Sequence, residues 1–209
     1  MNECKQPLSE LLRPQQLGDL TLPQPDIDRL QKMVDNDQLM NMIFYGKPGL
    51  GKTSAAQIIM ELSNTTTVMI NPAALIRDGI KLQQPFERFA TTWPPEGRPY
   101  KIMLIDEADG LPPLIQKSLR HLIELTYNNC RFLFTVNNIK IIDEALRSRM
   151  KEICFDIAPA QRPSVIAHLK TRYEARLSEL GSKFDRQRLA ELVGIYYPDL
   201  RSIANQLEF

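Results

Sequence analysis

Five short, mostly apolar runs punctuate the chain, at residues 40–45, 66–70, 100–105, 131–136 and 152–157. Each has the length of a strand and is rich in β-branched or aromatic residues. Continuous rather than alternating hydrophobicity marks strands covered on both faces. Stretches of helical spacing lie between them, at 27–34, 54–62, 85–90 and 114–125. The pattern predicts an α/β fold, a parallel five-stranded sheet flanked by helices. Residues 92–99 carry three prolines and a glycine and read as a loop before the third strand.

Beyond residue 158 the strand signal stops. Helical patterns run over 165–180 and 185–193, Ile195-Tyr196-Tyr197-Pro198 interrupts them, and Asp199 is placed to cap a last helix over Leu200–Leu207. The chain therefore divides into an α/β domain, 1–158, and a small all-helical domain, 159–209. The last helix ends on Leu207-Glu208-Phe209 with no Gly, Asn or Pro stop signal, so further sequence is expected beyond it.

The first apolar run leads straight into Gly46-Lys47-Pro48-Gly49-Leu50-Gly51-Lys52-Thr53, followed by Ser54 and a helix-compatible stretch. Strand, glycine-rich turn and helix form the context of a phosphate-binding P-loop. Its glycines let the backbone turn N–H groups toward a polyphosphate at a helix N-terminus, which favours anions. Lys52 is placed to reach the β- and γ-phosphates, and the Thr53 hydroxyl to hold Mg²⁺. The third run ends in Asp106-Glu107. Beside a P-loop, Asp106 is the expected Mg²⁺ ligand and Glu107 the base that polarises an attacking water. No Asn-Lys-x-Asp element selects guanine, so the expected nucleotide is ATP and the expected activity its hydrolysis. Asp109 either caps the following helix or joins the metal shell. Asn137, at the end of the fourth run, either orients the water or the γ-phosphate or closes an Asx turn. Arg147 and Arg149 precede the fifth run, where a guanidinium is either a surface charge or an arginine finger for a neighbouring subunit.

Composition narrows this little. At 209 residues the chain holds one core plus a small satellite, and its net charge of +1 argues neither for nor against nucleic acid. Cys4, Cys130 and Cys154 show no metal-ligand spacing. Two lie in or beside predicted strands, which suggests buried thiols in a reducing compartment. Residues 1–14 have no signal-peptide core and no run spans a bilayer, so the expected location is the cytoplasm.

In order and spacing these motifs resemble the AAA+ ATPases, and within them the small motor subunits of sliding-clamp loaders, most of all the tailed-phage version. Leu12-Arg13-Pro14 with Leu17-Gly18-Asp19-Leu20 resembles the family's opening box, which sets Arg13 and Pro14 near the adenine. The Asp106-Glu-Ala-Asp109 stretch and Asn137 fall in family order. Gln116-Lys117-Ser-Leu119-Arg120 with Glu124 resembles the helix that couples DNA contact to the catalytic glutamate. Arg147-Ser148-Arg149-Met150 resembles the Ser-Arg-Cys signature, with Met150 in the cysteine's place and Arg149 as the finger acting in trans. Pro198-Asp199-Leu200-Arg201 resembles the second sensor, Arg201 reaching the γ-phosphate in cis from the helical lid. The resemblance implies ATP and Mg²⁺, other loader subunits, a sliding clamp and primer–template DNA held by its backbone, with no membrane and a cytoplasmic (for a phage protein, host-cytoplasmic) location. Arg77, Lys81, Lys117 and Arg120 are its candidate phosphate contacts. Two departures stand out: the sequence stops before the place of the family's collar domain, and Asn71-Pro72-Ala73-Ala74 stands where cellular loaders carry Asn-x-Ser-Asp. The first keeps a second expectation open, a stand-alone AAA+ ATPase that regulates replication initiation, transposition or another DNA transaction without a clamp.

Overall fold

A computed structural model describes residues 6–77, 81, 83–182 and 184–207. Two helices open the chain, α1 (Leu8–Leu11) and α2 (Gln24–Asp35). Strands and helices then alternate: β1 (Met42–Tyr45), α3 (Lys52–Leu62), β2 (Thr67–Ile70), α4 (Pro72–Arg77), α5 (Gln83–Thr91), β3 (Lys101–Ile105), α6 (Pro113–Leu125), β4 (Cys130–Val136), α7 (Glu144–Arg147) and β5 (Lys151–Cys154). Helices α8 (Arg162–Glu179), α9 (Arg186–Tyr196) and α10 (Leu200–Leu207) follow. All strand pairs are parallel, in the order β2-β3-β4-β1-β5.

The apolar runs have a direct cause in this layering. Met42 and Phe44 point into a core shared with α2 and α3, whereas Ile43 between them points into the opposite core under α5 and α6. Ile102 and Leu104 against Met103 and Ile105 repeat the alternation on β3. Successive side chains leave a strand on opposite faces, so a sheet covered on both sides needs apolar residues throughout. The order β3-β4-β1 also brings the C-terminal ends of three strands side by side, where an open α/β sheet forms its crevice.

The helical C-terminal portion has a core of its own, built from Leu169, Tyr173, Leu177, Leu189, Val193 and Ile203. Leu12, from the opposite end of the chain, is buried in that core. Along one face of α8, His168 Nε2 meets the Gly18 carbonyl at 3.0 Å, Arg172 donates to the Asp19 carbonyl and Arg176 Nε donates to the Leu11 carbonyl at 3.2 Å. Those residues are four apart, hence on one helix face, and they stitch the N-terminal segment to α8.

The expectation of buried thiols needs correction at one position. Cys130 is buried, and burial pushes its thiol up to about 12. Cys154 is exposed, because β5 is an edge strand paired only with β1. Cys4 and the chain end at Glu208-Phe209 lie outside the described residues. Among the described residues, no helix is long and apolar enough to cross a membrane.

Candidate functional site

The loop from Gly46 to Gly51 joins β1 to α3, and Gly51 precedes the helix at φ +86°, a left-handed conformation that favours glycine. Lys52, the first residue of α3, is buried, and its ammonium donates to the carbonyls of Gly46 (2.7 Å) and Lys47 (2.8 Å) and to Asn137 Oδ1 (3.0 Å). Burial lowers its pKa; the carboxylates of Asp109, Asp156, Asp106 and Glu107 oppose that shift without cancelling it. A buried cation at the mouth of a glycine-rich turn that leads into a helix N-terminus makes an anion site.

Next to it, Thr53 Oγ1 donates to Asp106 Oδ1 at 2.7 Å, and Thr135 Oγ1 donates to the same oxygen at 2.7 Å. A hydroxyl and a carboxylate this close are hard oxygen donors that suit Mg²⁺, an ion usually held by one or two protein groups together with phosphate and water. Glu107 follows at φ +54°, an uncommon conformation for a residue with a side chain. Its N–H donates to Thr135 Oγ1 (2.9 Å), and its carboxylate accepts from Asn71 Nδ2 (3.1 Å). Asp109 does not cap the following helix, α6; its two oxygens accept the backbone N–H groups of Asn137 (2.7 Å) and Asn138 (3.1 Å). The turn that carries Glu107 is thus tied to the end of β4.

One cleft gathers much of this. Arg13 and Pro14 line it from the N-terminal segment, Pro48, Gly49, Gly51, Lys52, Thr53 and Ser54 from the P-loop and α3, Glu107 and Asn137 from the sheet ends, and Arg201 from α10. Three P-loop residues do not line it: Leu50 is buried in the core, the Gly46 carbonyl serves Lys52, and the Lys47 N–H donates to Asp156 Oδ1 at 3.1 Å.

The remaining candidates lie elsewhere. Arg149 pairs with Glu124 through Nε (2.6 Å) and donates to the Ala145 carbonyl. Arg147 pairs with Glu152 at 2.8 Å. Gln116 is buried; it donates to the carbonyls of Leu111 (3.1 Å) and Ile141 (3.3 Å) and accepts the Asp143 N–H (2.8 Å). Asp143 in turn caps α7, which precedes Arg149. The amide of Gln116 therefore joins α6 to the segment that carries Arg149. Arg77, Lys81 and Lys117 are exposed and Arg120 is half-buried, all outside the cleft. Arg172 and Tyr173 also line the cleft and Asn71 holds Glu107, and none of the three is a candidate from the sequence. Asn71 ends β2 as Asn137 ends β4, and that parallel was the signal available for it.

A profile of the ATPase family associated with various cellular activities (AAA) matches residues 42–156, more than half of the chain. The replication factor C small subunit of Saccharolobus solfataricus is 31% identical over 96% of this chain and 60% of its own length. Human replication factor C subunit 5 is 30% identical over 97% of this chain and 59% of its own length. The chain thus spans about three fifths of such relatives. Among solved structures, the Thermotoga maritima RuvB Holliday junction branch migration motor superposes with a TM-score of 0.69 at 19% identity, over 94% of this chain and 63% of that one, a likeness of fold.

Proposed function

The chain belongs to the AAA family of ATPases, and from that premise we propose that it is the ATPase subunit of a DNA polymerase sliding-clamp loader. ATP binding assembles it with partner subunits, clamp and primer–template DNA; hydrolysis releases the clamp. The observation that carries hydrolysis is the convergence of Lys52, Thr53, Glu107 and Asn137 on one cleft, with Asp106 buried behind it and bonded to the Thr53 hydroxyl. Similarity to replication factor C small subunits through both the α/β and the helical portions supports the clamp-loader assignment.

Within this reading, residues 1–158 form the nucleotide-binding domain and 159–209 the lid. The P-loop N–H groups and Lys52 hold the phosphates, while Arg13 and Pro14 flank the base. Thr53 and Asp106 would hold Mg²⁺, which when bound would supply charge neutralisation at the phosphates. Glu107 takes the proton of the attacking water once its carboxylate leaves Asn71, and Asn137 orients that water or the γ-phosphate. Arg201 meets the γ-phosphate from the lid, and Arg149 reaches the site of the neighbouring subunit. Arg77, Lys81, Lys117 and Arg120 meet the DNA backbone, where contacts position without reading sequence. Gln116 transmits that contact through Asp143 and α7. The work takes place where DNA is replicated, in the cytoplasm of a cell or of a phage's host.

Sedimentation with a slowly hydrolysed ATP analogue, primed duplex DNA, and the clamp and loader subunits of the same source tests this function. A complex containing clamp and DNA that forms only with the analogue is expected. A nucleotide-bound protein that joins neither overturns the clamp-loader assignment while leaving the ATPase intact.

A further inference from the structure

Gly49 is not one of the glycines that the P-loop pattern fixes; those are Gly46 and Gly51. Its conformation is nevertheless glycine's, at φ +80°, and a Cβ placed on it would lie 2.5 Å from Asp199 Oδ1 and 3.1 Å from Asp199 Cγ. The contact is two-sided, since the Leu200 N–H donates to the Gly49 carbonyl at 3.3 Å. Asp199 also caps α10. Its Oδ1 accepts the N–H groups of Arg201 and Ser202, each at 3.1 Å, and its Oδ2 accepts the Ser202 hydroxyl at 2.8 Å. The capped first turn of the helix that carries Arg201 therefore rests directly on the P-loop.

We infer that Asp199 is a positioning residue, which seats Arg201 over the cleft by docking the α10 cap onto Gly49. This inference deepens the ATPase reading of the site and rests on it. A P-loop turns N–H groups inward to phosphate. The Gly49 carbonyl faces α10, so phosphate binding that fixes the loop also fixes its outer surface. A ligand that stabilises the loop then stabilises the docked helix, and docking strengthens binding in return. The side chain missing at position 49 is what permits the approach.

A cycle of Gly49→Ala, Asp199→Ser and the double variant tests this, read in turnover, in affinity for fluorescent ATP and ADP analogues, and in thermal unfolding. Serine keeps a capping oxygen and vacates the space above position 49. Gly49→Ala is expected to slow turnover by roughly tenfold, within the range of couplings between contacting residues, and to weaken ATP-analogue binding more than ADP-analogue binding. The double variant is expected to turn over about fivefold faster than Gly49→Ala alone. Equal losses from Gly49→Ala in both backgrounds would assign the defect to the positive φ and overturn the proposal. Should Gly49→Ala fail to fold, hydrogen exchange in the wild-type chain decides: the Leu200 amide slows with the ATP analogue if docking is coupled to phosphate binding, and an unchanged rate overturns it. A wild-type chain that binds and hydrolyses no ATP removes the ATPase reading itself, and this role of Asp199 with it, whereas a failed cycle in an active enzyme removes only the role.

Discussion

Asn71 Nδ2 donates to Glu107 Oε2 at 3.1 Å, so the last residue before α4 holds the carboxylate that follows β3. The carboxylate is engaged where it stands, and it has to exchange that partner for a water before it can take a proton. Hydrogen bonds to charged groups contribute about 1.5–3 kcal/mol. Asn71→Ala is therefore expected to raise turnover in the absence of DNA by about tenfold and, on the proposed function, to shrink the stimulation expected from primed DNA. Steady-state ATPase rates with and without primed DNA measure both; an unaltered DNA-free rate would show that Asn71 does not restrain Glu107.

Asp109 spends both carboxylate oxygens on consecutive backbone N–H groups, those of Asn137 and Asn138. An asparagine side chain in its place presents an amide N–H₂ to one of those donors and loses a hydrogen bond to a charged acceptor, a class of bond that contributes about 1.5–3 kcal/mol. Asp109→Asn should lower kcat between about tenfold and a hundredfold, with nucleotide affinity held within about threefold. Single-turnover kinetics beside equilibrium titration separates the two, and a loss confined to affinity would contradict the assignment.

How far the residues foretold these ties depends on whether the tie is local. The strands lie within a few residues of the apolar runs; for β1, β3 and β4, burial on both faces leaves no other pattern available. The P-loop and Asp106-Glu107 were legible because each motif is continuous in sequence. The Asn71–Glu107 bond was not, since its partners stand 36 residues apart and meet only because β2 pairs with β3. Helices α1, α4 and α7 are each six residues or fewer, too short to show a period. The burial of Leu12 among α8–α10 is a tertiary fact that no local spacing announces. The exposure of Cys154 likewise follows from sheet order, which the run at 152–157 does not state.

Arg149 pairs with Glu124 on the surface, their side chains 32% and 51% exposed. Exposed pairs contribute about 0–1 kcal/mol, so Arg149→Ala should leave thermal stability and ATP-analogue affinity of the isolated chain nearly unchanged. Hydrolysis in the assembled loader should fall at least about a hundredfold, as the loss of an arginine finger does. Mixing Arg149→Ala chains with Lys52→Ala chains places each defect in a defined subunit. Full activity of assemblies built wholly from Arg149→Ala chains would exclude the finger role.

Glu107→Gln tests the central claim most directly, with ATP-analogue affinity and single-turnover hydrolysis measured on the same preparation. The amide keeps the size of the side chain and removes the base. Affinity should be unchanged and hydrolysis slowed by at least about a hundredfold. Undiminished hydrolysis, or affinity lost together with turnover, would contradict the assignment of Glu107 as the catalytic base of this cleft.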